Sequence, residues 1–438
     1  METNNRLYYK SKIGKLSKEK ALFFLAIFVY KVVIELVYLY RISPLFSYSL
    51  LTTDVNIYKM LFSWVLCILL CYMIPTNEQK PSTYLYLFMT IIIWIPLISY
   101  YWMNNQSTVY VSCEMLCAII VSIWCRIKKR SFFIRRTTPR NLMDILFALY
   151  VLLSAYLIIQ RGGIDPRALD FRNVYLIRGE YEDLGTVNGY LVNWCAKAFF
   201  PAMSSYMFLK KRKIAVTVSF VLQIGLYMAY GVKAFLASIV FLCLIYYLIS
   251  RQYTLKSIVS VFSISNVAAY LLDIAGITDA LRAFLPYRTL FIPAKNQFHY
   301  YEYFLTHDYL NLSGTFFGRL FSTYAYDKPI GFVVEAYFIN SGSNGNTGVF
   351  SYGFADFGFW GMVAVAFLVG FLFWFIDCTT YNVPIAFTVG ALSYWVITMN
   401  DNSLLITMIT GGFIFLIVLL MLINNSDLFK KAANAEGQ

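Results

Sequence analysis

Charge is what this chain has least of. Only 13% of its 438 residues are Asp, Glu, Lys or Arg, and there are two histidines, His299 and His307. A soluble globular domain carries about twice that charged fraction, so an ordinary soluble protein is excluded, and the high apolar content excludes disorder. Asp-x-Asp occurs nowhere, so a divalent-metal nucleotide-sugar site has no support. Nor is there an internal repeat or a matched pair of interrupted helices of the kind transporters use. The eight cysteines all fall in apolar stretches or at their borders. Cys67/Cys71 and Cys113/Cys117 have helical i,i+4 spacing but no His or carboxylate companions, so they read as small apolar packing residues rather than metal ligands or disulfides.

What is present is apolar surface: 59% of the residues are hydrophobic and 19% aromatic. Stretches of about 17 to 25 such residues, each long enough to cross a bilayer as a helix, recur along the whole length. We read an all-α polytopic membrane protein, one domain over 1–438. Its twelve spans are 21–40, 57–75, 83–103, 108–125, 141–160, 189–209, 214–230, 234–250, 257–276, 359–376, 384–400 and 404–423. The first span follows about twenty polar residues without a small-residue cleavage site, so it reads as a retained helix. The net charge of +13 is not a nucleic-acid signal, because the basic residues stand between the apolar stretches. With the N-terminus inside, 22 basic residues fall in inner segments and 11 in outer ones, which places both termini in the cytoplasm. The clusters at 126–136 and 210–213 anchor that orientation.

Two outer segments, 161–188 and 277–346, are much longer than the rest, and long ordered loops are where function concentrates. The second holds seventeen aromatics in seventy residues, so it is expected to form short helices lying on the bundle or in the outer interface. Such an aromatic floor suits sugar rings, and equally an interfacial aromatic belt. The first contains Arg161, Arg167, Arg172 and Arg178 and no lysine. The planar guanidinium fork suits bidentate phosphate binding. The alternative is internal pairing with Asp165, Asp170, Glu180, Glu182 and Asp183. Lys233, in the turn Gly-Val-Lys-Ala-Phe (231–235), and Arg288 are further outer cations.

His299 lies beside Glu302 in the second segment, three residues apart and so on one face of a short helix. The carboxylate is expected to raise the histidine's pKa and hold its ring, making His299 a candidate proton acceptor. Glu335 is a competing base. Within the spans, Lys31 and Glu35 are one turn apart and expected to pair, while Lys197 and Glu114 must face the bundle interior or a wet cavity.

Four stretches carry a family resemblance: RALDFRNVYLIRGEY (167–181), GVKAF (231–235), YRTLFIPAKNQFHYYEYF (287–304) and GNTGVFSYGFADFGFWG (345–361). With twelve spans and two enlarged outer loops, the chain resembles the Wzy family of oligosaccharide repeat-unit polymerases of O-antigen and capsule assembly. Arg178 followed by Gly189 also matches the arginine, ten residues, glycine spacing noted in such polymerases. The resemblance covers mainly 141–376. It implies a bacterial inner-membrane glycosyltransferase without a metal or other cofactor, acting on undecaprenyl-diphosphate-linked oligosaccharide as both donor and acceptor. A flippase and a chain-length regulator of the same pathway would be its partners. Arg172, Arg178, Arg288 and Lys233 would hold the diphosphate, and His299, Glu302 or Glu335 would take the acceptor's proton. A lipid-linked oligosaccharide flippase or other twelve-span transporter is the rival reading, and a ligase-like glycosyltransferase a third.

Overall fold

The structure is a computed structural model that describes residues 2–130, 141–170, 174, 177, 186–315, 318–320, 323–339 and 342–424. Arg172 and Arg178 lie outside the described residues. Among those described, the regular secondary structure is all helical, with no strand ladder and only one isolated bridge between Asp54 and Asn104. Helix is the form in which an apolar segment satisfies its own backbone hydrogen bonds without water.

Among the described residues, eight helices are long and apolar enough to cross a membrane: Lys18–Ser49, Pro81–Met103, Thr108–Arg126, Leu142–Gln160, Lys213–Tyr230, Lys233–Ser250, Leu255–Ile274 and Val349–Thr379. The other four expected spans fall on shorter or interrupted helices. Ile57–Met73 and Ile385–Asp401 have 17 residues each. The stretch 186–209 is helical but carries a π-helical turn, and the last is broken at Gly411 and Gly412 into Leu404–Ile409 and Phe413–Ile423.

The π-helical turns have a local cause. Tyr38–Ile42, Thr90–Trp94, Cys195–Phe199 and Ala283–Phe291 each end two residues before a proline: Pro44, Pro96, Pro201 and Pro293. A proline in a helix lacks the N–H and crowds the carbonyl of residue i−4. One extra residue in the preceding turn moves that carbonyl aside and lets the helix run on. Hence Pro81–Met103 continues through Pro96 as the centre of the bundle, wholly buried in its membrane-length window.

Around that centre the helix ends meet in two sets. One set is basic: Lys256 pairs with Glu19 at 2.6 Å, and Arg212 with Asp144 at 2.5 Å. Arg126 donates to the Tyr72 carbonyl and Lys80 to those of Cys125 and Ile127. The other set is polar and aromatic. There Asp54 N–H donates to Met103 O at 2.8 Å, Lys59 to Gln106 O at 2.5 Å, and Asn400 Nδ2 to Thr289 O at 2.9 Å. Between the two, Lys31 pairs with Glu35 as expected, lies 4.6 Å from the Trp64 ring centroid, and shares Glu35 with Trp102 Nε1. Glu114 is fully buried, its Oε1 accepting from Tyr110 Oη at 2.9 Å.

The basic end is closed by one carboxylate. Asp377 accepts from Ser82 N–H at 2.9 Å and Ser82 Oγ at 2.7 Å, so it caps the Pro81 helix from across the bundle, and Lys80 Nζ stands 3.6 Å away. Asp377→Ala strands the two Ser82 donors and removes the counter-charge of Lys80, whose ammonium keeps only the Cys125 and Ile127 carbonyls. It is expected to destabilise the protein by about 3–5 kcal/mol, the scale for breaking a buried pair from one side. Unfolding in mixed micelles measures this, and a loss comparable to that of an exposed carboxylate such as Asp308 would refute the capping role.

Candidate functional site

The helix Ile292–Phe304 does not lie on the bundle. Eleven of its thirteen residues are buried, Lys295 completely. It packs against Ile95–Met103, Ile330–Ile339 and Val349–Thr379. The expectation of an interfacial segment is therefore corrected for this stretch, and the reason is pairing. Lys295 Nζ lies 3.2 Å from Glu335 Oε1 and donates to the Ser49 carbonyl at 3.1 Å. Asn296 Nδ2 donates to Asn346 O at 2.7 Å. Lys295 and Asn296, two of the residues that mark the stretch as a surface loop in sequence, are thus met by partners far away along the chain.

That insertion reorders the expected base residues. His299 is buried, its ring stacked on Phe338 with 4.2 Å between centroids, and its Nδ1 has no hydrogen-bond partner. Its charged neighbour is Lys295, not Glu302, which is exposed and makes no described hydrogen bond to it. Burial first, and the Lys295 ammonium second, hold the imidazole well below the ordinary histidine pKa. The expected rise next to a carboxylate is therefore corrected. Burial likewise lowers the pKa of Lys295, opposed by Glu335. Glu335 is committed to Lys295, and Gly345 packs so closely that a Cβ there would stand 2.7 Å from Glu335 Oε2.

The cations divide. Arg167 is neutralised locally by Asp165 at 2.8 Å, which favours internal pairing for that arginine, and its hydrogen bonds hold Asp165 below the usual carboxyl pKa. Lys233 begins the helix Lys233–Ser250 and is half-buried. Arg288 is exposed and within electrostatic reach of both Lys295 and Asp401. Lys197 reaches the same Asp401 from another helix. Two cations, Arg288 and Lys197, are therefore both within electrostatic reach of the Asp401 carboxylate.

Beside them opens a cavity of about 470 Å³, walled by Tyr324, Asn346, Tyr352, Asp356, Asn402 and Ser403 among others. Its size is typical of small-ligand sites, which hold about 300–1,000 Å³. Asn402 of the lining adjoins Asp401 in sequence, and Tyr352 of the lining is within electrostatic reach of both Asp401 and Asp356. Lys295, Asp401 and Asp356 are the members that residue-by-residue reasoning left unassigned. The signal available was an amide- and lysine-bearing run, Ala-Lys-Asn-Gln (294–297), in an otherwise apolar chain.

Compared with family models, curated proteins and solved structures, the chain matches none. The site must therefore be read from its own chemistry.

The buried, neutral His299 yields a stability prediction. The unfolded chain takes up a proton near pH 6.5 that the folded chain refuses, so the residue's contribution is complete above that pH and is lost as pH falls below it. The melting-temperature advantage of the wild type over His299→Phe is expected to shrink from about pH 7.5 to about pH 5.5. An advantage that does not change across that range would contradict the assignment.

Proposed function

We propose that the chain is a membrane glycosyltransferase of the repeat-unit polymerase kind. It would transfer a growing oligosaccharide from an undecaprenyl-diphosphate carrier to a sugar hydroxyl of a new lipid-linked unit, on the outer face of the bacterial plasma membrane. The observation that carries this is the junction of a cation pair with a sugar-sized polar cavity. Arg288 and Lys197 are within electrostatic reach of Asp401, and a cavity whose lining includes the adjoining Asn402 is walled by Asn346, Tyr352 and Asp356 of the 345–361 stretch.

The chemistry follows from that junction. The departing diphosphate gains negative charge as its bond to the anomeric carbon lengthens, and fixed cations stabilise that charge as it develops. The anomeric carbon passes through an oxocarbenium-like state, and the acceptor hydroxyl gives up a proton. Arg172 and Arg178 would join Arg288 around the diphosphate, with Lys233 at the periphery. Since a lipid diphosphate is already an activated leaving group, the reaction draws on no nucleotide.

In this reading the chain crosses twelve times, with the basic helix ends inside. Lys80, Arg126, Lys129, Arg212 and Lys256 collect at the end that the positive-inside rule assigns to the cytoplasm. The cation pair and the cavity then face out. A transporter or flippase would instead concentrate its charges in a central cavity, whereas the centre here is the apolar helix Pro81–Met103.

The test is a polymer ladder. Purified protein in proteoliposomes is given the lipid-linked repeat unit that accumulates when the gene is deleted from its host. A ladder of products supports a polymerase, and movement of the lipid without chemistry identifies a flippase. Addition of a single block to another lipid or to protein identifies a ligase. Arg178→Ala or Arg288→Ala should each remove about 2.7–4 kcal/mol of transition-state stabilisation, a hundredfold or more in rate. Lysine at Arg178 should rescue poorly, because it restores charge without the fork. Normal ladders from both alanine variants would contradict the phosphate role.

A further inference from the structure

We infer that the cavity receives the terminal, uncharged sugar of the acceptor, and that Asp356 takes the proton from its attacking hydroxyl. This rests on the transferase reading above, and assigns within it a subsite and a base.

The geometry starts from a helix break. Val349–Thr379 is not one continuous helix: Phe357 is at φ −145°, ψ 24°, and Gly358 at φ 62°, ψ −148°. Gly358 is in the left-handed half of conformational space, and a Cβ there would stand 2.8 Å from Tyr309 Oη, so both conformation and space favour glycine. The helix 349–356 therefore ends on Asp356 at the cavity wall. Its open carbonyls are met by the turn 309–312: Leu310 N–H donates to Ala355 O at 2.8 Å and Asn311 N–H to Asp356 O at 3.2 Å. Two successive non-glycine residues of that turn, Asn311 (φ 50°) and Leu312 (φ 63°), are held left-handed to do so. Strain of this kind persists only where the surroundings over-determine it, and it clusters at functional sites.

The same turn fixes the carboxylate. Leu312 N–H donates to Asp356 Oδ1 at 2.9 Å, which sets the rotamer and leaves Oδ2 without a protein partner among the described residues. The other candidate bases are spent or misplaced. Glu335 is paired with Lys295, His299 is stacked on Phe338 beside the same ammonium, and Glu302 is exposed away from the cavity lining. Asp356 is the lining carboxylate with one oxygen already anchored and the other open.

The rest of the wall is suited to a neutral polyol. Asn346 and Asn402 offer amides, Ser403 and Tyr352 hydroxyls, and Tyr324 and Tyr326 ring faces. Lys328 is the one cation of the lining, with Asp327 beside it. An anionic ligand is better served next door, at Arg288 and Lys197. The step balances as follows. The acceptor oxygen forms a bond to the anomeric carbon of the donor chain. The bond from that carbon to the diphosphate oxygen breaks, and its electron pair leaves with the phosphate. The hydroxyl proton passes to Asp356 Oδ2 and then to solvent.

Asp356→Asn keeps an oxygen for the Leu312 N–H and removes only the basic oxygen, so it separates chemistry from structure. Its ladder-forming kcat should fall at least about a hundredfold with KM for the lipid-linked unit little changed, the scale of a lost general base. The loss of activity on the acid side of the wild-type pH profile should vanish in the variant. The groups sharing the cavity that also titrate are Asp327, Lys328, Tyr324, Tyr326 and Tyr352, and Asp327→Asn should leave that acid limb in place. The Asn346→Leu/Asn402→Leu double variant should raise KM and spare kcat. Near-normal kcat and an unchanged acid limb in Asp356→Asn would overturn the base assignment.

The cavity is tested apart from turnover, by saturation-transfer NMR with the repeat-unit oligosaccharide freed of lipid by mild acid. Binding to the wild type that is lost in the double variant supports the subsite. Absence of binding to the wild type, or equal binding to both, overturns it. A wild type that makes no ladder from the lipid-linked unit fails the transferase reading and takes the role of Asp356 with it, while the NMR result still judges the cavity.

Discussion

A chain this apolar is governed by one constraint: wherever water is excluded, each backbone N–H and each charge must find its partner inside the protein. Unbroken helices solve the backbone problem until a proline arrives. The four π-helical turns that precede Pro44, Pro96, Pro201 and Pro293 are the local solution there, widening the turn so that the helix is not lost. Charges are handled by pairing across helices. Asp377 serves the N-terminus of the Pro81 helix at one end, Glu35 serves Lys31 and Trp102 between, and Glu335 serves Lys295 at the other end.

The last of these pairs shapes the site. Burying Lys295 draws the Ile292–Phe304 helix into the bundle and brings Glu335 and the stretch around Gly345 onto it. With that plug in place, the 345–356 segment and the turn 309–312 close round a polar cavity. Arg288 is left exposed, within electrostatic reach of Asp401. In the proposed reading, the diphosphate and sugar subsites would owe their common end of the bundle to one buried ammonium that needs a carboxylate.

The long helices were legible in the sequence because length and hydrophobicity alone decide them. The Lys31–Glu35 pair was legible because i,i+4 spacing is local. Placement of the 287–304 stretch was not. Its Lys, Asn, Gln, His and Glu residues read as a wet loop, and the burial of Lys295 and Asn296 depends on Glu335, Ser49 and Asn346, each at least 40 positions from its partner. His299 and Glu302 looked paired by spacing, yet Phe338 and Lys295 claim the imidazole. Asp356 stood in a stretch singled out for its family likeness. Its open oxygen becomes visible only once the turn at Leu312 is seen to hold the other.

Everything proposed for the site depends on its facing the outside, and sidedness can be measured directly. Ser343 is exposed near the cavity end and Lys128 at the basic end. Cysteine is introduced at each in turn, with the unmodified chain as background, and intact cells are treated with a membrane-impermeant thiol reagent. Ser343→Cys is expected to react in intact cells, and Lys128→Cys only after the membrane is opened. The reverse pattern would put the cavity and its cations in the cytoplasm and contradict the account.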